Sequence, residues 1–546
     1  MISARIRFTL TLGIALAKVL SAVAQESTPS PSPTQNPTEI QVLDRLIQQN
    51  EQLEKQNQQM EMQNQQLRRQ NEQLMEQIKG LRARIADPNH GQVRAAEAAS
   101  VPPTSGEKVQ TTAQSLSNQG TQSSTQNQSV QSSSSDQSEG DDKTLYPEAS
   151  PGNSAIFGEF NPGRGFTVAK SKYGELNFSG YMLARYLNQL PAGQTATDHL
   201  GRPLTVTPRQ DFQFHRVMLF TQGWLFNPKF LYSAFLWTVQ DTNQVAVGGA
   251  LYYNFGKYLN LGMGWNAYPG TMSLQGSHPY WESYDRVMAD EFFRPYFSQG
   301  VFAKGNLLPK LEYRWVIGNN LSNLDVPASA LDRGLSAGGA LTWLPTTGEF
   351  GPRGAFGDYE NHQNLATRFN LAYTYSPEDR QSAVGTQAGN TTIRLTDSLN
   401  IFDPGALANG VTVENVRYQL LSAAAGMKKH GFWLQGEGYA RKLDDFVATG
   451  KLPVGSIRDY GFYLQLADMV VKKRLELYGA TSYVFGPYGH PKEFLGGNNY
   501  YPWNTRNIRL NTQLIYVFRS PVNSTFGFYM GGLTGPIFSF GVSALY

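Results

Sequence analysis

Charged side chains on the polar face of two-residue alternations are the groups with chemistry to offer in this 546-residue chain. By parity, Arg185, Lys310, Arg314, Arg368, Arg417, Arg441, Arg474 and Arg509 share that face with Glu312, Glu437, Asp459 and Glu476. Eight cations against four anions around an aqueous lumen would favour anions modestly. Each arginine has an equal claim to a structural role, paired with a carboxylate across the lumen. A second constellation lies between Gly270 and Phe297, where Glu282, Asp285, Arg286, Asp290, Glu291 and Arg294 stand among Tyr280, Trp281, Tyr284, Phe292 and Phe293. Opposite charges facing each other across a constriction would focus the field on passing solutes. The competing reading is a surface loop whose charges are solvated.

Other chemistries find no support. The histidines are His90, His199, His215, His278, His362, His430 and His490, with no HxxxH or HExxH spacing, so no metal site is expected. Gly262-Met263-Gly264 lies in a strand-like run with no helix behind it, which removes the dinucleotide reading. There is no cysteine, so no thiolate is at hand, and a Ser-His enzyme dispersed over barrel strands is the one hydrolytic alternative. No catalytic residue and no cofactor is expected.

The elements that must position the charges are strands. Phe538, Phe540, Val542, Ala544 and Tyr546 share one parity, and Ile537, Ser539, Gly541, Ser543 and Leu545 the other. About ten residues of such alternation suffice to cross a bilayer as a tilted strand. The same pattern recurs in Glu175–Leu187, Asn364–Tyr375 and Ile508–Phe518. In Asn415–Ala424 it sets Val416, Tyr418 and Leu420 outside and Arg417 inside. Sixteen strands are expected, starting near 174, 209, 229, 243, 257, 298, 309, 333, 363, 410, 430, 458, 472, 505, 523 and 535. Tight turns fit at Phe255-Gly256-Lys257, Lys428-Lys429-His430, Val471-Lys472 and Thr534-Gly535; longer connections fit near 188–208, 268–297, 318–332, 376–409, 443–457 and 486–504. Arg216 shares parity with Phe212, Phe214, Met218 and Phe220, so either a bulge shifts that strand or Arg216 lies near an interface. The expected fold class is an all-β transmembrane barrel over 152–546, apolar outside and polar inside.

The preceding residues read differently. Arg5, Arg7, the apolar Phe8–Ala17 and Ala22-Val23-Ala24 mark residues 1–24 as a signal peptide. Residues 25–38, with Pro29, Pro31, Pro33 and Pro37, form a spacer. Over 39–87, Leu46, Leu53, Met60, Leu67, Leu74 and Leu81 take heptad d, with Asn50, Asn57, Asn64 and Asn71 at a. That is a coiled coil, and it implies self-association in register without deciding between dimer and trimer. Residues 88–151, rich in Ser, Gln and Thr, form a disordered linker. The net charge of +3 is too small to suggest a nucleic-acid partner.

One stretch resembles the phosphate-selective porin family of O and P type: Asp285-Arg286, Phe292, Pro295, Gln299-Gly300-Val301, Gly305, Tyr313 and Gly318-Asn319. Phe214-His215-Arg216, Gly223, Glu437-Gly438-Tyr439 and Gly497-Asn498-Asn499-Tyr500-Tyr501 extend the likeness. The resemblance implies a homotrimeric sixteen-strand channel in the outer membrane with a loop folded into each lumen. Such families carry arginine ladders and lysine clusters for anion capture, which the balanced charges here do not reproduce. The expected activity is passive diffusion of small hydrophilic solutes or ions, with a coiled coil in the periplasm. The alternative is a structural tether between outer-membrane lipid and peptidoglycan.

Overall fold

The computed structural model describes residues 165–546 except 240–243, 277, 322–333, 382–392 and 524–526. The expected signal peptide, spacer, coiled coil and linker lie outside the described residues.

The strands are β1 (Phe166–Ser171), β2 (Gly174–Gln189), β3 (Gln194–Thr197), β4 (Pro203–Val206), β5 (Gln210–Leu225), β6 (Asn227–Val239), β7 (Gln244–Gly256), β8 (Leu259–Ala267), β9 (Phe297–Leu308) and β10 (Leu311–Gly318). They continue with β11 (Ser336–Trp343), β12 (Ala366–Asp379), β13 (Val413–Lys429), β14 (Phe432–Ala448), β15 (Ser456–Val471), β16 (Leu475–Phe485), β17 (Lys492–Tyr500), β18 (Ile508–Phe518) and β19 (Gly535–Leu545). From β5 to β19 each strand pairs antiparallel with the next, and β19 returns to β2, from Ile537↔Gln189 to Leu545↔Tyr181. Sixteen strands thus close a barrel with no free edge, which satisfies every backbone ladder internally. β1 covers the end of β2 that β19 leaves bare, and Phe166 stacks on the terminal Tyr546 with ring centroids 6.1 Å apart. β3 and β4 form a separate hairpin inside the connection from β2 to β5.

The outer surface follows from period two. On β12, Phe369, Leu371, Tyr373 and Tyr375 are exposed while Arg368, Asn370, Ala372 and Thr374 are buried. Tyr173, Phe226, Phe255, Tyr258, Trp343 and Trp503 line the rim of short turns; Tyr186, Phe212, Tyr375, Tyr460 and Phe485 lie toward the other. A continuous apolar belt with aromatic edges is the surface of a transmembrane barrel.

Fifteen of the sixteen expected strand starts fall within three residues of a barrel strand. The start expected near 523 does not. That stretch belongs to the connection between β18 and β19, where Phe528 and Tyr529 are buried. The sixteenth barrel strand is β17, which lies in the stretch 486–504 expected as a longer connection. Its Gly496-Gly497-Asn498-Asn499 has turn chemistry, but Gly497 meets another need. A Cβ there would lie 2.6 Å from Tyr478 Cζ and from the Thr512 carbonyl. Thr534-Gly535 begins β19 rather than forming a hairpin turn.

Arg216 is explained by a bulge. Leu183 pairs with Arg216 while Ala184 pairs with Phe214, so one residue of β5 is unmatched and the parity flips. Phe212 and Phe214 then face out, and Arg216, Met218 and Phe220 face in.

Candidate functional site

The lumen is the site, and the connection from β8 to β9 fills much of it. The loop runs from Tyr268 to Tyr296 and includes the short helix α1, Met288–Phe293. Its six expected charges, Glu282, Asp285, Arg286, Asp290, Glu291 and Arg294, are each at most 9% exposed, which removes the solvated-loop reading.

Wall carboxylates hold the loop by its backbone. Glu437 of β14 accepts the Met272 N–H at 3.0 Å and the Tyr439 hydroxyl at 2.9 Å. Glu493 of β17 accepts the Met288 N–H at 2.5 Å and the Tyr529 hydroxyl at 2.6 Å. Ser482 accepts the Ala289 N–H at 3.3 Å. Arg509 donates to the Trp281 carbonyl, and Tyr418 donates to the Phe293 carbonyl at 2.9 Å. Two wall glycines take the loop's rings: Tyr284 lies over Gly541 and Phe293 over Gly461.

The loop's own charges are matched locally. Asp285 pairs with Arg216 at 3.1 Å, and Arg294 with Glu291 at 2.6 Å. Arg286 donates to Ser273 at 2.8 Å and lies 4.1 Å from the Trp281 ring centroid. Ser273 donates to Asp290 at 3.0 Å. Burial, reinforced by Arg294, pulls the Arg286 guanidinium down to about 10. Burial pushes Asp290 up, against the pull of Arg286.

The wall residues predicted from parity divide. Arg185, Glu312, Arg314, Arg368, Glu437, Arg441, Arg509, Asp459 and Glu476 face the lumen. Arg185 donates to Gln213 at 2.8 Å and to the Gly527 carbonyl at 2.9 Å. Arg441 pairs with Asp459 at 2.7 Å and lies 4.3 Å from the Phe292 ring centroid. Arg368 donates to Gln435 and to the Gly354 carbonyl. Arg314 donates to the Gln275 carbonyl of the loop.

Three do not line the lumen. Lys310 and Arg474 occupy exposed rim turns, and Lys310 donates to the Pro345 and Thr346 carbonyls. Arg417 faces outward and pairs with Asp444 at 2.7 Å and Asp445 at 2.8 Å. β13 carries two apolar stripes of opposite parity. Leu421, Ala423, Ala425 and Met427 face out, whereas Val416, Tyr418 and Leu420 pack inward. A window limited to the first half of β13 therefore assigns its faces backwards.

The inner wall is mixed rather than uniformly polar. Phe220, Phe235, Trp265, Trp433, Tyr439 and Ile515 are buried within it, beside the polar residues. On the adjacent strands β9 and β10, the inward charges Lys304, Glu312 and Arg314 keep partial exposure, with Lys304 opposite Arg314. A cavity there runs between Pro269 and Leu274 of the loop and Phe302, Lys304, Arg314 and Val316 of the wall. Sequence reasoning missed Lys304, Lys428 and Glu493. Lys428, expected in a tight turn, is fully buried at the end of β13 and donates to the Ala355 carbonyl at 2.8 Å.

Asp358, Glu360 and His362, between β11 and β12, come within metal-ligand reach of one another. His362 already uses both nitrogens, Nδ1 on Asp358 and Nε2 on Glu349 at 3.1 Å. Burial alone would lower the His362 pKa, but those two hydrogen bonds outweigh it and raise it to about 9.

No family model matches the chain, and no curated protein does. Among solved structures, the chain is similar to the outer-membrane OmpT of Vibrio cholerae, at 10% identity over 69% of this chain and 99% of that one, with a TM-score of 0.43. An anion-selective porin from Comamonas acidovorans gives 10% identity over 68% and 100%, with a TM-score of 0.41. The outer membrane channel DcaP of Acinetobacter baumannii gives 8% over 70% and 99%, with a TM-score of 0.40. Likenesses at this level carry no argument, and the fold stands on its own strand pairing.

Proposed function

We propose that the chain is an outer-membrane channel for passive diffusion of small hydrophilic solutes or ions, without enzymatic activity, working as a homotrimer. One observation carries the reading: a closed barrel with a lipid-facing exterior holds charged residues and a folded-in loop inside. A barrel that only anchors has no need of inward charge, because burying charge is costly. The route lies beside β9 and β10, where Lys304, Glu312 and Arg314 keep contact with water. Two cations against one carboxylate there support mild anion preference, whereas phosphate specificity has no dedicated site. The coiled coil ahead of the barrel would stand in the periplasm.

Reversal potential across a salt gradient tests this. Arg314→Ala shifts it toward cation preference; Arg286→Ala, whose charge is buried against the loop's own acids, leaves it within error. No conductance from folded protein at any loop setting, or a larger shift from Arg286→Ala, contradicts the assignment.

The tight packing of the loop favours a second reading, a plugged barrel whose coiled coil tethers outer membrane to peptidoglycan. Deleting 39–87 separates the two. Loss of cell-wall attachment with unchanged permeability makes tethering the main role.

A further inference from the structure

Glu282 on the folded-in loop and Glu476 on β16 are 3% and 0% exposed. Asn499 of β17 donates one amide to both, at 3.3 Å to Glu282 and 3.2 Å to Glu476. The Tyr501 hydroxyl donates to the same Glu476 oxygen at 3.1 Å. Asn511 of β18 and Asn499 hold the Glu282 carbonyl, at 3.3 and 3.0 Å. The remaining carboxylate oxygens converge over Gly357, in the connection from β11 to β12. A Cβ there would lie 2.6 Å from Glu476 Oε1 and nearer still to Glu282 Oε1, and φ is +68°. Only glycine allows this approach.

The groups facing the pair are known from each element packed on it. β16 contributes Tyr478 and β18 contributes Arg509. The turn after β17 contributes Tyr501 and Arg506. Arg506 lies 3.4 Å from Glu360 and donates to the Phe356 carbonyl at 2.9 Å; Arg509 donates to Trp281. Both guanidiniums favour ionised carboxylates. Burial and the neighbouring carboxylate oppose them and push Glu282 well up. Two dry carboxyl groups in contact cannot both ionise.

We propose that Glu282 and Glu476 share one proton as a latch that fastens the loop to the barrel wall, and that losing this proton releases the loop. Seated Glu282 binds its proton more tightly than a carboxyl in water. The seat is therefore strongest in acid, and weakens as pH rises above about 4.3 and Glu282 gives up its proton. The latch rests on the channel reading only for its effect on conductance.

The chain has no cysteine, so one introduced thiol reports the loop without interference. Ala289→Cys, 0% exposed on α1, is labelled with a maleimide in the full folded chain. Exposed Lys451→Cys supplies the reference that corrects for thiol ionisation. The corrected rate should rise about tenfold from about pH 5 to about pH 9. Glu282→Gln, whose amide donates in place of the proton, should hold it flat and low. A flat profile in the otherwise unaltered protein, or an undiminished rise with Glu282→Gln, overturns the latch; the first result decides even if the glutamine variant does not fold. Labelling that follows pH while conductance stays absent supports the latch and counts against the channel. Steady conductance with flat labelling does the reverse.

Discussion

Gly541→Ala tests whether the loop occupies its seat because β19 leaves room for one aromatic ring. A Cβ at Gly541 would lie 3.0 Å from Tyr284 Cζ and closer still to Cε2 and Cδ2. Ordinary contact begins near 3.4 Å, so the Cε2 and Cδ2 edge of the ring must withdraw by about an ångström. Tyr284 is 2% exposed, and Ser283 beside it is tied to Gln513 by a hydrogen bond at 2.8 Å, which opposes withdrawal of the ring. Overpacking of this kind costs about 1–3 kcal/mol. The barrel ladders are unaffected by a methyl group, so the cost falls on the seated loop. The population with the loop displaced should then rise by about 5- to 150-fold. Single-channel recording reads this as longer or larger open states. Maleimide labelling of Ala289→Cys reads it independently. The barrel's own thermal transition should move little. If Gly541→Ala leaves conductance and labelling unchanged while lowering the thermal transition of the whole barrel, the loop and wall are one rigid unit and the seat argument fails.

Two further outcomes follow from buried charge. Asp285→Ala leaves the Arg216 guanidinium, 5% exposed, without its carboxylate, and should cost about 3–5 kcal/mol in urea unfolding from lipid. The double variant with Arg216→Met should recover most of that loss; no recovery would mean the pair is not the coupled unit described. His362 is raised from 6.5 to about 9 by Asp358 and Glu349. A raised pKa adds stability that is full below about pH 6.5 and lost as pH rises through about 9. After screening by solvent, the contribution is about 1–2 kcal/mol. Thermal melts should fall over that window, and His362→Gln should abolish the slope.

The sequence by itself determined the barrel. A period of two is a property of each strand, so Phe369, Leu371, Tyr373 and Tyr375 announce a lipid face without any knowledge of their neighbours. The inward orientation of Arg185, Arg368, Arg441 and Arg509 follows from the same local rule. Its failures are local as well. β17 hides behind glycine and asparagine, and β13 has apolar residues on both faces because its inner wall meets the loop instead of water. Only the tertiary structure decided what the charges do. Arg216 meets Asp285, and Glu282 meets Glu476, across separations that no spacing encodes, because the path of an irregular loop is set by the cavity it fills. The alternation fixes which side chains point inward; the folded-in loop fixes which of them still touch water.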